Sequence, residues 1–579
     1  MIKFKKNLVW YLLVILVSLP TYFFFISHPG YYYNMQDDMQ VIRQLEMDKC
    51  VKDGQIPCRW SPDLGYQYGY PLFNFYPPFP SFVGQIFKTF GFSYMGSVKA
   101  LAVTQYLLSS IFMFLLASSV FGNIGGFIST VFFMYAPYHA LNIYVRGAYN
   151  EAWANVFFPL ILYFSRNLIF KLKSKNIVGL AISFALLLLT HNPMVLIFTP
   201  VLALWVAFWH FQKHSFADFF VNLKKQITPF LSAMLLSFSL AAFFTLPLLF
   251  ETKLVQLETM FTNYYSYLAH FVTLKQLFLS NFWGDGPSVW GDQDGMSFMV
   301  GYLHWIIPVL IFFYLVYSIL KKKKINQLLL LSGFTTMVAF ISVFMTHNKS
   351  TFIWQLFSPI QKIQFPWRFL NISTLLFSIS IGAIPVMIKQ IVPIVNVRKT
   401  LYIIITAFVV FLNLRFFYPI TYGKVTDQQK FSGDSWMRLV TAGIYDYLPK
   451  TADRAAQKAA TEYVDKVEPT TSLYTISGQK HGTDWLFFNL SLDNQAKVTI
   501  SQLYFPNFKI FDYDKELSFT IEPEFGRMVI DLSPGQHQLF IKLFNTPIRT
   551  VSNIISLIAW LSVVIYLLLS TWKHWKSKN

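Results

Sequence analysis

Long apolar blocks alternate with short polar breaks along most of this chain. They fall at 8–27, 98–120, 124–141, 151–170, 177–190, 193–210, 227–250, 299–320, 325–346, 370–390, 399–418 and 553–571. Most approach the roughly 20 residues that a helix needs to cross a bilayer. Alternate breaks are basic: KLKSK at 171–175, FQKHSFADFFVNLKK at 211–225, KKKK at 321–324, KQIVPIVNVRK at 389–399 and KHWKSK at 573–578. Lys and Arg gather on the cytoplasmic side of polytopic proteins, so the pattern predicts about twelve spans with both termini inside. The first block follows Lys3, Lys5 and Lys6, lacks a small-residue cleavage site and reads as an uncleaved span. Asn192-Pro193 separates two short blocks, which read as two spans or as one interrupted helix.

The remaining pieces, 28–97, 142–150, 191–192, 251–298, 347–369 and 419–552, would then lie outside. Residues 431–467 read as helical. From about 470 to 545, β-branched and aromatic residues alternate with polar ones, and Pro-Asn, Pro-Gly and Asp-Asn mark turns. The predicted architecture is a polytopic α-helical membrane protein with a C-terminal extracytoplasmic β-sandwich-like domain. Residues 1–418 form a transmembrane module that includes the external loop 28–97. Residues 419–552 form an external helix-plus-β domain, and 553–579 the last span and a basic tail.

Composition agrees with the pattern. The chain is 54% hydrophobic and only 13% charged, about half the globular norm of roughly 25%. That excludes a soluble domain. The net charge of +19 is accounted for by the basic cytoplasmic breaks, and no basic helix or RNA-binding signature points to nucleic acid as a partner. Both cysteines, Cys50 and Cys58, fall in the first external loop. A disulfide there suits an oxidising exterior, and two free thiols are the alternative.

The external pieces concentrate chemistry. The loop from His28 to Pro80 places adjacent carboxylates, Asp37 and Asp38, about ten residues beyond the first span, followed by the aromatic run FNFYPPF. Loops held by a rigid scaffold commonly carry function. VRGAYNEAWA supplies Arg146 and Glu151 at a span entrance, and THNP supplies His191. THNKS supplies His347, and IWQLFSPIQKIQFPWRF supplies Gln361, Gln364, Trp367 and Arg368. NFWGDGPSVWGDQDG supplies Asp285, Asp292 and Asp294. Ionisable residues at span ends are functional candidates by default. Each also has a plainer role. Asp37 or Asp38 could cap the helix starting near Met39. Arg146 and Glu151 could be a structural ion pair, His191 a satisfied boundary histidine, and Arg368 an anchor beside Trp367. The aromatic run could be interfacial packing, and DQDG resembles a calcium loop only faintly.

Some chemistries are absent. There is no GxxxxGK[ST], no GxGxxG after a strand, no HExxH and no GxSxG, so an ATP-driven pump, a nucleotide-sugar site, a zinc protease and a serine hydrolase are not indicated. A reaction on the outer face has no cytosolic nucleotide, and a polyprenyl-phosphate sugar in the membrane is the simplest activated donor. A carboxylate could deprotonate the acceptor hydroxyl. Arg146 or Arg368 could stabilise the leaving phosphate.

The acids after the first span resemble the first external loop of the GT-C superfamily of integral-membrane glycosyltransferases. The segments QDD, GQIPCRW, YGYPLFNFYPP, YVRGAYNEAWA, LLTHNP, IQFPWRFL, YFPNFKIF and LSPGQHQLFIKLFNTPIR, scattered in order over nearly the whole chain, resemble bacterial YfhO-like proteins. Relatives of that group are labelled "6-pyruvoyl-tetrahydropterin synthase-related", although nothing in this chain resembles the three-histidine zinc site of that soluble enzyme. The resemblance implies a GT-C fold and sugar transfer from a polyprenyl-phosphate donor to an extracytoplasmic cell-envelope polymer such as a teichoic acid. It carries a base over onto Asp37 or Asp38. Asp38 is the first choice, with Asp37 as positioning or metal-binding partner; Arg146 and Arg368 would bind the lipid phosphate, and Glu151, His191, Gln364 and His347 would lie around the substrates. The external β-domain would guide the acceptor or cover the site. A divalent cation, magnesium or manganese, is the one cofactor left open, with no ligand set assigned. Many GT-C first loops have a histidine soon after the acid. Here MQVIRQLE follows, so Gln40 or Arg43 would take any such role. A lipid or glycan transporter, or a non-catalytic envelope scaffold, remains the alternative. A transporter would line a path across the membrane with charge, whereas the candidates here cluster at one face.

Overall fold

The computed structural model describes residues 2–214, 223–291 and 293–576. Among them, eight helices are long and apolar enough to cross a membrane. A ninth is counted if Gln226–Leu240 and Ala242–Leu254, bent by 79°, form one span. The protein is membrane-embedded. The eight or nine differ from the twelve sequence blocks for local reasons. The blocks at 98–120 and 124–141 run into one 41-residue helical stretch, Tyr94–Met134. A continuous helix of that length would measure about 60 Å, twice the apolar thickness of a bilayer. Gly122, with φ 74° and ψ 178°, breaks it. The block at 151–170 forms the helix Tyr149–Phe170, which carries Asn150, Glu151, Asn155 and Arg166. Ser174–Leu188 has 15 residues, short of a full span.

Contacts group the chain into two compact units. The first comprises Met1–Asp38, Val98–Ser237 and Phe261–Val425, and the second Met39–Ser97, Phe238–Met260 and Thr426–Asn579. Most of the first external loop therefore groups with the C-terminal residues rather than with the helices of the first unit.

In the first unit, β1 (Tyr31–Tyr33) pairs antiparallel with β2 (Tyr422–Lys424). Helices pack here through small and hydroxylated residues. Ser332 and Ser380 Oγ lie 2.7 Å apart, as do Thr336 Oγ1 and Ser380 Oγ. A Cβ on Gly125 would lie 2.4 Å from Gly382 O. Close approach through small residues, with hydroxyls satisfying one another, is the usual means of joining helices in lipid.

The second unit holds two antiparallel sheets. One runs β3 (Val464–Glu468), β6 (Ala496–Leu503), β10 (Arg527–Leu532), β9 (Thr520–Ile521). The other runs β4 (Tyr474–His481), β5 (Trp485–Leu492), β11 (Gly535–Leu543), β7 (Phe508–Asp512), β8 (Lys515–Leu517). Alternate residues of both sheets, among them Phe488, Leu490, Leu539 and Ile541 with Val498, Ile500, Met528 and Ile530, form one apolar core. Phe75 of the aromatic run belongs to that core, and Leu72 and Phe73 to a neighbouring one. Phe73 and Phe75 of this run therefore pack inside the protein.

The helical reading of 431–467 is corrected. Helices cover only Asp427–Lys430 and Gly433–Thr441, and Val464–Glu468 is a strand. Between them the backbone bonds outward: Asp453 N to Pro523 O, Arg454 N to Glu524 O and Ala460 N to Tyr66 O (2.9–3.0 Å). Ala452 and Ala455 enter the sheet core. Tertiary partners override the helix propensity of the alanines.

Cys50 and Cys58 form a disulfide with Cα atoms 5.8 Å apart. Just beyond it, Gly69 has φ 76°, and a Cβ there would lie 2.3 Å from Trp60 Nε1 and 2.5 Å from Gln502 Nε2. Trp60 is fully buried and cannot retreat. Gly69→Ala is therefore expected to destabilise the second unit by about 1–3 kcal/mol, read as an earlier thermal unfolding transition. An unchanged transition would mean that the Trp60 pocket is looser than described.

Candidate functional site

The site starts from an irregular backbone in the first unit. Leu141–Val145 is a π-helical turn, and Arg146 N reaches back to Leu141 O at 2.9 Å. Such wider turns re-aim the side chain that follows and are frequent at functional sites. Gly147 comes next at φ 64°, and a Cβ on it would lie 2.4 Å from Met35 Sδ. The reversal permits the helix Tyr149–Phe170 to begin at once, with Glu151 in its first turn, where the helix dipole favours an acid.

Glu151 is the hub. Its side chain is 1% exposed. Oε2 accepts from Arg146 Nη2 at 2.9 Å and from Arg368 Nε at 3.1 Å. Oε1 accepts from the Tyr138 hydroxyl at 2.8 Å and from Asn371 Nδ2 at 2.7 Å. Asn371 Oδ1 accepts from Asn142 and Asn155 at 3.1 and 3.0 Å. The Arg146 guanidinium also lies 4.1 Å from the Trp367 ring centroid, a cation–π contact. Two guanidiniums thus share one carboxylate.

Arg368 is held by a strained turn. Gln364 has φ 71° and ψ −57°, and Phe365 N donates to Ile363 O at 2.8 Å. This is a γ-turn of the rare, strained kind. Arg368 Nη1 donates to Ile363 O at 2.6 Å and to Gln364 Oε1 at 3.3 Å, so the turn supplies both acceptors.

The first external loop arrives beside this cluster. Gln36 N donates to Val145 O and Asp37 N to Arg146 O, at 3.0 and 2.9 Å. Burial opposes the Arg146 charge, but Glu151, Tyr138 and Asp37 outweigh it and raise the Arg146 pKa above its ordinary value. Asp37 therefore acts on the cluster by charge as well as by backbone. Asp38 follows, and both acids are half-buried. The N-cap position of the helix Gln40–Lys52 is Met39, not an aspartate.

His191 caps the helix Asn192–Lys213, its Nδ1 accepting from Met194 N at 3.2 Å. Burial, then the Arg368 charge, pushes its pKa down to about 3 against the pull of Glu151, so the ring is neutral at pH 7. Five sequence candidates, Asp37, Arg146, Glu151, His191 and Arg368, are thus linked by bonds or charge, and Gln364 joins through Arg368.

The other candidates sit elsewhere. His347 caps the turn Asn348–Ser350 through Lys349 N, and no bond among the described residues joins it to Glu151. Gln361 donates to Trp354 O at 2.9 Å. Arg43 lies over the Tyr76 ring in the second unit, 4.2 Å from its centroid. Asp294 accepts from Met296 N at 3.1 Å, and burial raises its pKa to about 6. The Asp285 and Gly286 carbonyls accept from Gln36 Nε2, and Asp292 lies outside the described residues. No group of three or more His, Cys, Asp or Glu side chains among the described residues is placed to hold a metal. Sequence reasoning missed Tyr138, Asn142, Asn155 and Asn371. Their signal was available, as polar residues in or beside apolar blocks.

No protein-family model matches the chain, and no curated protein does. The site has to be read on its own geometry.

Removing the hub charge would leave two buried guanidiniums facing each other. Glu151→Gln is expected to cost about 3–5 kcal/mol, and adding Arg368→Gln should recover part of it in a double-mutant cycle of unfolding free energies. Strictly additive effects would deny the coupling. His191 predicts a pH effect as well. Its folded pKa lies below the ordinary value of about 6.5, so the unfolded chain binds the extra proton first. Stability is then full above about pH 6.5 and falls as pH drops toward 3. His191→Gln should lose less stability than the parent between pH 7 and 5, and equal slopes would refute the assignment.

Proposed function

We propose that this protein transfers a sugar from a polyprenyl-phosphate donor to an extracytoplasmic acceptor hydroxyl on a cell-envelope polymer, as a GT-C-type glycosyltransferase. In this reading the chain makes about twelve spans with both termini cytoplasmic, and a β-sandwich-like domain lies on the active, outer face. The observation that carries the proposal is the pair of buried guanidiniums, Arg146 and Arg368, held on Glu151 beside Asp37. Such a cluster suits a phosphate that gains charge as its glycosyl bond breaks. Guanidiniums bind phosphate oxygens in fixed geometry.

In the reaction, the acceptor hydroxyl gives its proton to Asp38 while its oxygen bonds to the anomeric carbon. The bond from that carbon to the phosphate oxygen breaks, and its electron pair leaves on the polyprenyl phosphate. Arg146 and Arg368 stabilise that oxyanion. Asp37, already facing Arg146, serves as the positioning acid, which leaves Asp38 as the base. Glu151 holds the two guanidiniums apart and oriented. His191, neutral at pH 7, can donate or accept a hydrogen bond without adding charge. A divalent cation would supply further phosphate neutralisation, but the described residues offer no ready ligand set.

Purified protein given a panel of polyprenyl-phosphate sugars and envelope polymer should release lipid phosphate and label the polymer. Asp38→Asn should lower the transfer rate about 100-fold or more, the range of a lost general base, with protein levels unchanged. Full transfer by the Asp37→Asn/Asp38→Asn double variant would sink the enzyme reading.

A further inference from the structure

A pocket lined by three cations lies wholly within the second unit. Its volume is about 240 Å³, and its walls include Asp53–Pro57, Arg59, Asp484, Trp485, Lys542 and Arg549. The Cys50–Cys58 disulfide closes the loop that supplies one wall. Gln55 fastens that loop to the start of β5: its Nε2 donates to Thr483 Oγ1 at 2.9 Å, and its Oε1 accepts from the backbone N–H groups of Arg59 and Trp60 at 2.6 and 2.9 Å. The cavity is therefore built, not a gap between mobile loops.

Two buried guanidiniums line the cavity. Arg59 and Arg549 are 5% and 1% exposed. Arg549 Nε pairs with Glu251 Oε2 at 2.9 Å. Arg59 bonds only neutral acceptors: Asn74 Oδ1 at 2.9 Å, Phe243 O at 3.1 Å and Asn553 Oδ1 at 2.7 Å. Among the described residues Glu251 is the acid that acts on both guanidiniums, and its remaining bonds come from Thr546 and Asn74. Arg59 Nε and Arg549 Nη2 are buried with no hydrogen-bond partner among the described residues. Such N–H groups are costly to leave unmade. Burial, then the Arg549 charge, lowers the Arg59 pKa to about 9, which leaves it protonated at pH 7.

Two acids line the walls as well. Asp53 accepts from Thr483 N, Thr483 Oγ1 and Trp485 Nε1, at 2.8, 2.8 and 3.2 Å. Burial raises the Asp484 pKa to about 6, so it stays largely ionised at pH 7, within reach of the Lys542 charge. Lys542, opposite Trp485 in the β5–β11 pairing, adds a third cation.

We propose that this pocket binds a phosphate ester. A phosphate has enough oxygens to meet two guanidiniums and an ammonium at once, which a single carboxylate does less well. The volume takes a phosphate with a small polar headgroup. The Trp485 face and the Asp53 wall would hold that headgroup. The site is separate from the Glu151 cluster and does not depend on the transferase reading.

The test uses the full chain in maltoside micelles free of phospholipid. Inorganic phosphate or glycerol 3-phosphate, compared with chloride at equal ionic strength, should bind saturably by calorimetry and raise the unfolding temperature. Lys542→Gln, at the partly exposed rim, should weaken that binding about tenfold, the loss of one charge-assisted hydrogen bond. Arg549→Gln with Glu251→Gln, which removes both members of the buried pair together, should abolish it. A parallel arm titrates phosphatidylglycerol into the same micelles. Lys542-dependent binding there alone assigns the phosphate to a lipid headgroup, and binding of the soluble esters assigns it to a soluble or polymeric phosphate. Failure of both arms, or binding that Lys542→Gln leaves unchanged, overturns the proposal.

Discussion

A carboxylate buried among apolar helices constrains the first unit more than any other group in it. Withdrawing Glu151 from water costs several kcal/mol unless charge and hydrogen bonds replace the solvent. The chain meets that demand with four donors from two distant stretches: Tyr138 and Arg146, and Arg368 and Asn371. Regular helices could not bring all four together. The irregular backbone lies where the partners enter, in the π-helical turn before Arg146, the left-handed Gly147 and the γ-turn at Gln364. These departures follow from the need to surround one anion.

The same need explains what could be read from the sequence. Arg146 and Glu151 stood out as charges at a span entrance, and Arg368 as a charge beside a tryptophan. Their common face followed from counting spans. Their meeting at one pair of oxygens did not, because Glu151 and Arg368 are joined across 217 residues of chain. Asn142 and Asn371 look like minor interruptions of apolar runs until their amides are found closing the network. The strands between 474 and 543 were legible because sheets with one buried face write a period of two into the chain. Residues 451–463 were misread because alanine favours helix in isolation, while their backbone bonds go to Pro523, Glu524 and Tyr66. The three-residue pairing of Tyr31–Tyr33 with Tyr422–Lys424 is too short for any pattern to announce.

The two units arrive separately at one solution. Each buries a glutamate, sets a guanidinium pair beside it and adds an asparagine amide: Arg146, Arg368 and Asn371 around Glu151, and Arg59, Arg549 and Asn74 around Glu251. They differ in closure. Glu151 has both arginines bonded directly to it and an aromatic ring against one of them. Glu251 bonds one arginine, and N–H groups of the pair are buried with no hydrogen-bond partner among the described residues. The first arrangement fixes both guanidiniums on one carboxylate, and the second leaves one guanidinium to neutral acceptors.

The γ-turn at Gln364 has a consequence for anyone who tries to make this protein more robust. Glycine is the residue that left-handed backbone accommodates without penalty, so selection for heat tolerance alone would favour replacing the glutamine. That change would also delete the carbonyl that steadies Arg368 and loosen the peptide that supplies its second acceptor. Durability and a well-aimed guanidinium therefore compete at a single codon, and a thermostabilised variant is the first place to look for a protein that folds better and works worse.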